Sequence, residues 1–482
     1  MNPNALSFAG FAALVLWGAL AAAVSAQETR ALCVECIEVR VGPPVVVRGP
    51  FPDELDAPLT AIKLSDGQFR GFSANSSTYA IDGASLEDLG GERRKVLKKG
   101  APGSVNDCGS WLTTALRIGD DVIGFVHQER SCDYKQGRTE KSMAIARSTD
   151  EGLSWTDLGT VITGRDLALT TGTTGEGDCT MIDGRDSYLY AYCQRNADWK
   201  TIVARAPIAE PTEWRKYFGG GWSEPGIGGE ATSLGYIGHS AAYLLEQDRV
   251  AVLTNDRWFG GLRLSLSADK INFSELKEPL LSIDGSDWNR PADTDLITYP
   301  SLLNPADGSN AVGAQFVLAY SYVPPGLGFE SRFLVQHTVS LSVGTTPAPV
   351  QVGMALSRWT DAQRSRYLSS TGPVTDDRLA FSNDGLVAYL MTREPEGAAS
   401  VKLAECASQG PPDQMLADDE ACRSLGYARV RTAGWLYTQP QPDSVPVYSC
   451  LSQPDQRHFA SNTTDCEGLG TMQQLLGYGL AP

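Results

Sequence analysis

Hydrophobic and polar residues alternate in short runs along most of this chain, and the runs come in sets. From about residue 56 to 345 each set is an apolar-alternating run, a tight turn, a second such run and then a third. Leu59 to Leu64, Phe69 to Ala74 and Thr78 to Ile81 form the first set. Trp111 to Arg117, Val122 to His127 and Ser142 to Arg147 form the second, and Cys179 to Ile182, Tyr188 to Cys193 and Thr201 to Ala206 the third. Tyr236 to Leu245, Val250 to Thr254 and Leu262 to Ser267 make a fourth; Leu296 to Leu303, Phe316 to Tyr322 and Phe333 to Ser340 make a fifth. A period of two predicts half-buried strands. The turns Asp66-Gly67, Gly119-Asp120, Asp183-Gly184 and Gln247-Asp248 predict hairpins between them. Sets that recur every 50 to 60 residues or so predict the blades of a β-propeller. Five sets imply five blades, or six if one set is hidden.

From about residue 350 the pattern changes to a second repeat. Cys406-Ala407-Ser408-Gln409 and Cys450-Leu451-Ser452-Gln453 open two matching segments, with Cys422 and Cys466 each sixteen residues further on and Leu425-Gly426-Tyr427 and Leu476-Gly477-Tyr478 at their ends. Arg366-Tyr367-Leu368-Ser369-Ser370 echoes Arg457-His458-Phe459-Ala460-Ser461, and Leu390-Met391-Thr392 echoes Leu436-Tyr437-Thr438. Three degenerate copies of roughly 45 residues, the first without cysteines, would suit a compact pseudo-threefold, trefoil-like β module. The fold class expected is therefore all-β: a five-bladed propeller over 56–345 followed by a three-repeat module over 350–482. A signal peptide (1–26) and an N-terminal segment (27–55) precede them.

Composition adds compartment and partners. A chain of 482 residues with 49 Gly, 27 Pro and 9% aromatics fits two or three units built from short strands and turns. A net charge of −17 argues against nucleic acid or an anionic membrane surface as partner. The one basic cluster, Arg93, Arg94, Lys95, Lys98 and Lys99, reads as a solvated loop. Leu6 to Val24 is apolar, and Val24-Ser25-Ala26 offers the small residues of an export cleavage site. An uncleaved anchor is the rival reading; no later segment is long and apolar enough to span a membrane. The ten cysteines fit a secreted or periplasmic protein, with disulfides as the use of an even count. Cys108/Cys132 and Cys179/Cys193 each bracket a hairpin, while Cys33-x-x-Cys36 could instead serve redox or zinc chemistry. No second pair has metal spacing. The acidic excess would accommodate Ca²⁺, but no loop pattern specifies it, and no other cofactor is expected.

Ser148-Thr149-Asp150-Glu151-Gly152-Leu153-Ser154-Trp155 matches the pattern Ser-x-Asp-x-Gly-x-Ser/Thr-Trp without a gap. It resembles the Asp-box hairpin turn of sialidase-like β-propellers. The residues suit such a turn: Gly152 tolerates a positive φ, Asp150 can bind its own turn backbone, and Trp155 can pack back on the blade. Ser267-Ala268-Asp269 looks like a degenerate copy. In families that carry it the box lies away from the active face, so it speaks for fold and not for chemistry. The His458-Phe459 and Leu-Gly-Tyr features of the tail resemble a small repeat module at the C-termini of secreted bacterial hydrolases. That resemblance implies attachment to a cell wall or glycan.

In a propeller the starts of the first strands face a central funnel. The residues there are Asp56 in set one, Asp107 in set two, and Glu176 or Asp178 in set three. Asp-Asp-Glu over three successive blades resembles the five-bladed arabinanase, xylosidase and fructosidase group of glycosidases. The resemblance implies Asp56 as base or nucleophile, Asp107 as modulator of the acid's pKa, and Glu176 as the acid. Glycoside cleavage needs one ionised carboxylate and one protonated acid. The same residues also serve ordinarily as turn caps. Further funnel candidates are His127 with Glu129, His239, the pair Arg257 and Trp258, and Trp288 with Arg290. The tryptophans could stack on a sugar or pack between blades, and the arginines could grip a substrate carboxylate. Tyr299 or Tyr320 could act in a sialidase, but the Arg-Ile-Pro motif of that family is missing. The function expected is a glycoside hydrolase acting on an extracellular polysaccharide. A non-catalytic carbohydrate-binding or adhesion propeller and a sialidase-like exo-glycosidase are the alternatives. Gly219-Gly220-Gly221 is no phosphate loop, and no Gly-x-Ser-x-Gly elbow is present.

Overall fold

The computed structural model describes residues 33–51, 54–166, 172–256, 259–285, 287–361, 363, 366–375, 381–410, 412–453 and 455–482; the expected signal segment and the candidates Arg257 and Trp258 lie outside them. The described chain is all-β apart from one short α-helix, Asp419–Ser424, and four single 3-10 turns. Asp418 starts that helix, its carboxylate accepting from the backbone N–H groups of Glu420 and Ala421.

Each alternating set forms a run of antiparallel strands, longer by at least one strand than the alternation predicts. Set one runs Thr60–Lys63, Phe69–Asn75, Ser77–Gly83, Arg94–Leu97. Set two runs Gly109–Ile118, Asp121–Asp133, Arg138–Ser148, Thr156–Thr163. Sets three and four begin with Thr173–Asp183 and Ser240–Leu244. Set five, Leu296–Leu303, Gln315–Val323 and Arg332–Val343, takes its outer strand from the other end of the chain, Ile37–Phe51. That strand also pairs in parallel with the tail, Val39 to Val41 against Val352 to Met354. One sheet thus runs from set five through the N-terminal strand into the tail, and residues 33 to 482 pack as one unit.

The apolar faces of successive sheets pack on each other. Ile62, Phe72 and Ala80 of set one meet Leu112, Val122 and Val126 of set two. Phe125, Met143 and Ile145 of set two meet Met181, Leu189 and Ile202 of set three. The first strand of each set touches the next, and the fifth touches the first. A small cavity of about 10 Å³ is lined by residues of all five: Thr60, Thr113, Thr180, Ala241 and Leu302 among them.

These first strands do not form a ladder with one another, so side chains bridge them. Thr60 accepts from the Ala115 amide at 2.9 Å, and Thr114 from the Met181 amide at 3.0 Å. Asn310 donates to the carbonyls of Met181 and Ala241, at 2.8 and 3.2 Å. Asn255 donates to the Ile297 carbonyl and Ser321 to the Leu55 carbonyl, at 2.9 and 2.7 Å. Together they satisfy backbone groups that burial would otherwise leave unpaired.

The turn at Ser148–Trp155 has the bonding that its residues suggest. Asp150 accepts from the amides of Leu153 and Ser154 and from the Ser154 hydroxyl. Gly152 has φ +84°, and a Cβ there would lie 2.4 Å from the Phe72 ring. Trp155 donates to the Gly152 carbonyl at 3.0 Å and meets Phe72 edge-on.

The tail repeats its irregularities as well as its sequence. Its strand pairs shift register at Leu356/Ser357, Leu403/Ala404 and Val447/Tyr448, and again at Arg358/Trp359, Glu405/Cys406 and Ser449/Cys450. The echoed segments lie on corresponding short strands, Tyr367–Ser370 and His458–Ser461. The strands Ser382–Met391, Tyr427–Tyr437 and Gly470–Leu480 pair with one another in all three combinations. All ten cysteines are paired: Cys33–Cys36, Cys108–Cys132, Cys179–Cys193, Cys406–Cys422 and Cys450–Cys466. Among the described residues no helix is long and apolar enough to cross a membrane.

Replacing Asn310 by Ala leaves two buried carbonyls without their donor. It is expected to lower unfolding stability by about 1–3 kcal/mol in urea titration, without loss of the native circular dichroism. An unchanged midpoint would mean that Asn310 does not hold adjacent first strands together.

Candidate active site

Where the first strands begin, side chains from four sets and the N-terminal approach to set one converge. Asp56 is fixed by its amide, which donates to the Ala74 carbonyl at 2.8 Å. Its carboxylate accepts from the Tyr299 hydroxyl at 3.2 Å and lies 3.6 Å from the Arg332 guanidinium. Asp178 lies on the first strand of set three and forms an ion pair with Lys141 of set two at 2.5 Å. Lys141 is also 3.8 Å from Glu129. Glu129 accepts from Tyr134 at 2.5 Å and from Thr139 at 3.2 Å.

His127 links the two acidic groups. The amide of Asp178 can only donate, and it points at Nδ1 of His127 at 2.9 Å. The ring therefore carries its single proton on Nε2, which faces Glu129 at 3.1 Å. Trp111 packs edge-on against the same ring, at 5.4 Å between centroids. His239, just before the first strand of set four, feels the charges of Asp178 and Lys141. Burial pushes its pKa down, with Asp178 opposing.

Local backbone geometry aims these groups. Leu55, Asp178 and Tyr299 all have positive φ, at 63°, 51° and 51°. Asp178 and Tyr299 each sit inside a register shift, between Gly177 and Thr180 and between Thr298 and Ser301. Non-glycine residues seldom adopt this region, and bulges of this kind redirect side chains.

The two aspartates are pushed in opposite directions. Burial raises the pKa of Asp56; Arg332 and the Tyr299 bond work against this, and the charges of Glu129 and Asp178 reinforce it. Asp178 is also desolvated, but the charge of Lys141 overcomes this and holds it well below the usual range. Glu129 is likewise lowered: burial opposes ionisation, and the bond from His127 and the charge of Lys141 outweigh it. Lys141 is raised despite burial, by Asp178 and Glu129. Asp56 and Asp178 keep 28% and 25% of their side-chain surface exposed, against 9% for Glu129 and 4% for His127, so the aspartates are the groups a ligand can reach.

The other expected residues lie elsewhere. Asp107 accepts from the amides of Gly103 and Ser131, at 2.9 and 3.3 Å, and closes a loop. Glu176 forms a separate buried ion pair with Lys216 at 2.6 Å. Lys216 is wholly buried and also donates to the carbonyls of Thr163 and Gly229. Burial raises the pKa of Glu176 against the pull of Lys216 and Arg195. Arg290 donates to the carbonyls of Leu327, Thr294 and Pro324, tying two loops together. Trp288 lies beyond Tyr299, 42% exposed, and stacks on Phe259. Tyr320 bonds His337 in the joint between set five and the tail. Lys141, Tyr134 and Arg332 were not singled out in the sequence. Lys141 and Arg332 begin or adjoin apolar strands, where a cation is the only outward sign. Among the described residues no three His, Cys, Asp or Glu side chains are disposed to hold a metal ion.

No family model and no curated protein matches the chain. Solved structures similar to it include an alpha-L-arabinofuranosidase from Lactobacillus brevis, with 13% identity and a TM-score of 0.40 over 60% of this chain and 91% of that one. A family 117 glycoside hydrolase from Zobellia galactanivorans is 9% identical, with a TM-score of 0.43 over 65% and 97%. The catalytic domain of a GH62 alpha-L-arabinofuranosidase from Coprinopsis cinerea is 10% identical, with a TM-score of 0.41 over 63% and 98%. Likeness at these scores assigns no chemistry to the site.

The separation of Glu176 from the aspartates has a measurable consequence. Glu176→Gln strands a buried ammonium and is expected to lower stability by about 3–5 kcal/mol. Adding Lys216→Met to that variant should recover part of the loss. Equal stability of wild type and Glu176→Gln would show that the pair is not structural.

Proposed function

We propose that this protein is an exported glycoside hydrolase built on a five-bladed β-propeller, with Asp56 as the general acid and Asp178 as the ionised carboxylate opposite it. The observation that carries the reading is two aspartates at the strand starts with unlike partners, Arg332 at 3.6 Å and the Tyr299 hydroxyl on Asp56 and Lys141 at 2.5 Å on Asp178, which shift them in opposite directions. Groups whose environments drive their pKa values apart can divide acid and base work between them at one pH. Asp56, kept protonated, delivers its proton to the departing glycosidic oxygen. Asp178, kept ionised, supplies the negative charge that an oxocarbenium-like transition state requires. Lys141 holds Asp178 in its charged form, and the Glu129–His127 pair fixes the Asp178 backbone. These roles differ from those implied by the family resemblance. In this reading Glu176, paired with Lys216, and Asp107, which closes a loop, have structural roles.

Support for the propeller comes from the five first strands, which line one small axial cavity and close from fifth to first. The Ser148–Trp155 turn, with the bonding of an Asp box, supports it further. Five disulfides favour an oxidising compartment, outside the cytoplasm. The substrate in this reading is an extracellular glycan. A tyrosine nucleophile of sialidase type is disfavoured, because burial and the charges of Asp56 and Asp178 push the Tyr299 phenol well above its usual pKa. The tail would bring the enzyme to a wall or glycan surface.

A reducing-sugar screen over arabinans, xylans, fructans, galactans and sialosides tests the reading. Release by wild type should fall by about 10²–10⁴-fold in both Asp56→Asn and Asp178→Asn. The pH profile has a definite sign. Activity requires Asp178 ionised, so the acid limb should lie below the ordinary carboxylate value of about 4; it requires Asp56 protonated, so the alkaline limb should lie above it. Full activity in either variant would remove that residue from the mechanism, and no release from any glycan by wild type would remove the reaction.

A further inference from the structure

An aromatic shelf leads outward from Asp56. Tyr299, which donates to Asp56, meets Phe259 edge-on at 6.5 Å between ring centroids. Phe259 stacks on Trp288 at 4.4 Å with 25° between the planes, and Trp288 meets Phe329 at 4.3 Å. Phe329 is in turn covered by Arg332, the cation beside Asp56, at 5.6 Å. The shelf thus begins at the acid and ends in solvent. Trp288 stays 42% exposed in spite of two aromatic neighbours. For an indole this leaves on the order of 100 Å² of apolar ring uncovered.

The shelf is held from below by the tail. Asp284 accepts from the Thr432 amide at 2.7 Å and its hydroxyl, and from Arg429 at 2.8 Å. Asp295 accepts from Tyr322 at 2.5 Å and faces the buried Arg431 at 3.6 Å. Asp284 and Asp295 bracket the segment that carries Trp288, and Arg290 within it is fastened to the loop before Phe329. An exposed indole on an anchored segment loses little freedom when a ligand covers it.

We infer that this shelf is a subsite for a further sugar of the same substrate, so that the enzyme acts on oligo- or polysaccharide chains, and that the tail positions it. The C–H face of a sugar ring fits an exposed aromatic face, and the shelf's continuity with Asp56 places that ring one or more units from the bond that is cleaved. The inference rests on the glycosidase reading of the Asp56 pocket.

The test is the dependence of affinity and of kcat/KM on chain length. Wild type, Trp288→Ala and Trp288→Phe are compared on arabino-, xylo-, fructo- and galacto-oligosaccharides from two to five units, by calorimetry and by product release, with circular dichroism as a check on folding. Wild type should bind the five-unit chain of its preferred sugar about tenfold more tightly than the two-unit one. Trp288→Ala should lose that gain, chiefly in KM, and Trp288→Phe should keep most of it. Asp284→Asn, which loosens the tail's grip without touching the shelf, should show an intermediate loss. A chain-length dependence that is the same in wild type and Trp288→Ala overturns the subsite and leaves the glycosidase reading standing. Failure of wild type to bind or cleave any of these sugars overturns both.

Discussion

Five first strands, each touching the next and the fifth touching the first without pairing to each other, set the terms for the rest of this molecule. A sheet satisfies its own backbone, whereas such a ring leaves inward-facing amides and carbonyls to be satisfied by side chains. Thr60, Thr114, Asn255, Asn310 and Ser321 meet that need, each reaching from one set to another. The apolar faces between successive sheets can then be dry, and the strand starts are held at fixed separations. The N-terminal strand Ile37–Phe51 completes set five and continues into the tail, so the two ends of the chain are locked in one sheet.

The chemistry of the candidate site follows from that rigidity. Asp56, Asp178, Lys141 and Arg332 come from separate sets or approaches to them and meet only because the strand starts are fixed. Low solvent access makes each charge count, and the cations are distributed unequally. Lys141 sits at 2.5 Å from Asp178, while Arg332 stands 3.6 Å from Asp56, whose other charged neighbours are carboxylates. The same surroundings therefore lower the pKa of one aspartate and raise that of the other. The backbone at Leu55, Asp178 and Tyr299 is strained in the left-handed region, as positions that must present a side chain against the run of a strand commonly are.

Much of the architecture was legible because alternation and turn residues are local signals. The five sets, the tail repeat and the bracketing of cysteines all needed only neighbours in sequence. The strand Ile37–Phe51 was missed: two prolines, Pro43 and Pro44, interrupt its run of valines, and its partners lie some 300 residues away. In the site, Asp56, Asp178 and His239 were visible from their places near strand starts, and the His127–Glu129 pair as further candidates at the end of the second run of set two. The choice between Glu176 and Asp178 was not. Spaced two apart on a regular strand they would face the same way, but the bulge at Asp178 separates them and sends Glu176 to Lys216, a partner no local pattern reveals. Arg332 and Lys141 were hidden for the same reason, since the charge on each matters only through residues remote in the chain.

Site-resolved titration of the Asp56 and Asp178 carboxyl carbons by NMR tests the central claim without any substrate. The expected result is two separate midpoints, Asp56 above the ordinary aspartate value of about 4 and Asp178 below it, with Asp178 moving up in Lys141→Met. Two midpoints near the ordinary value, or Asp178 titrating above Asp56, would contradict the division of roles between them.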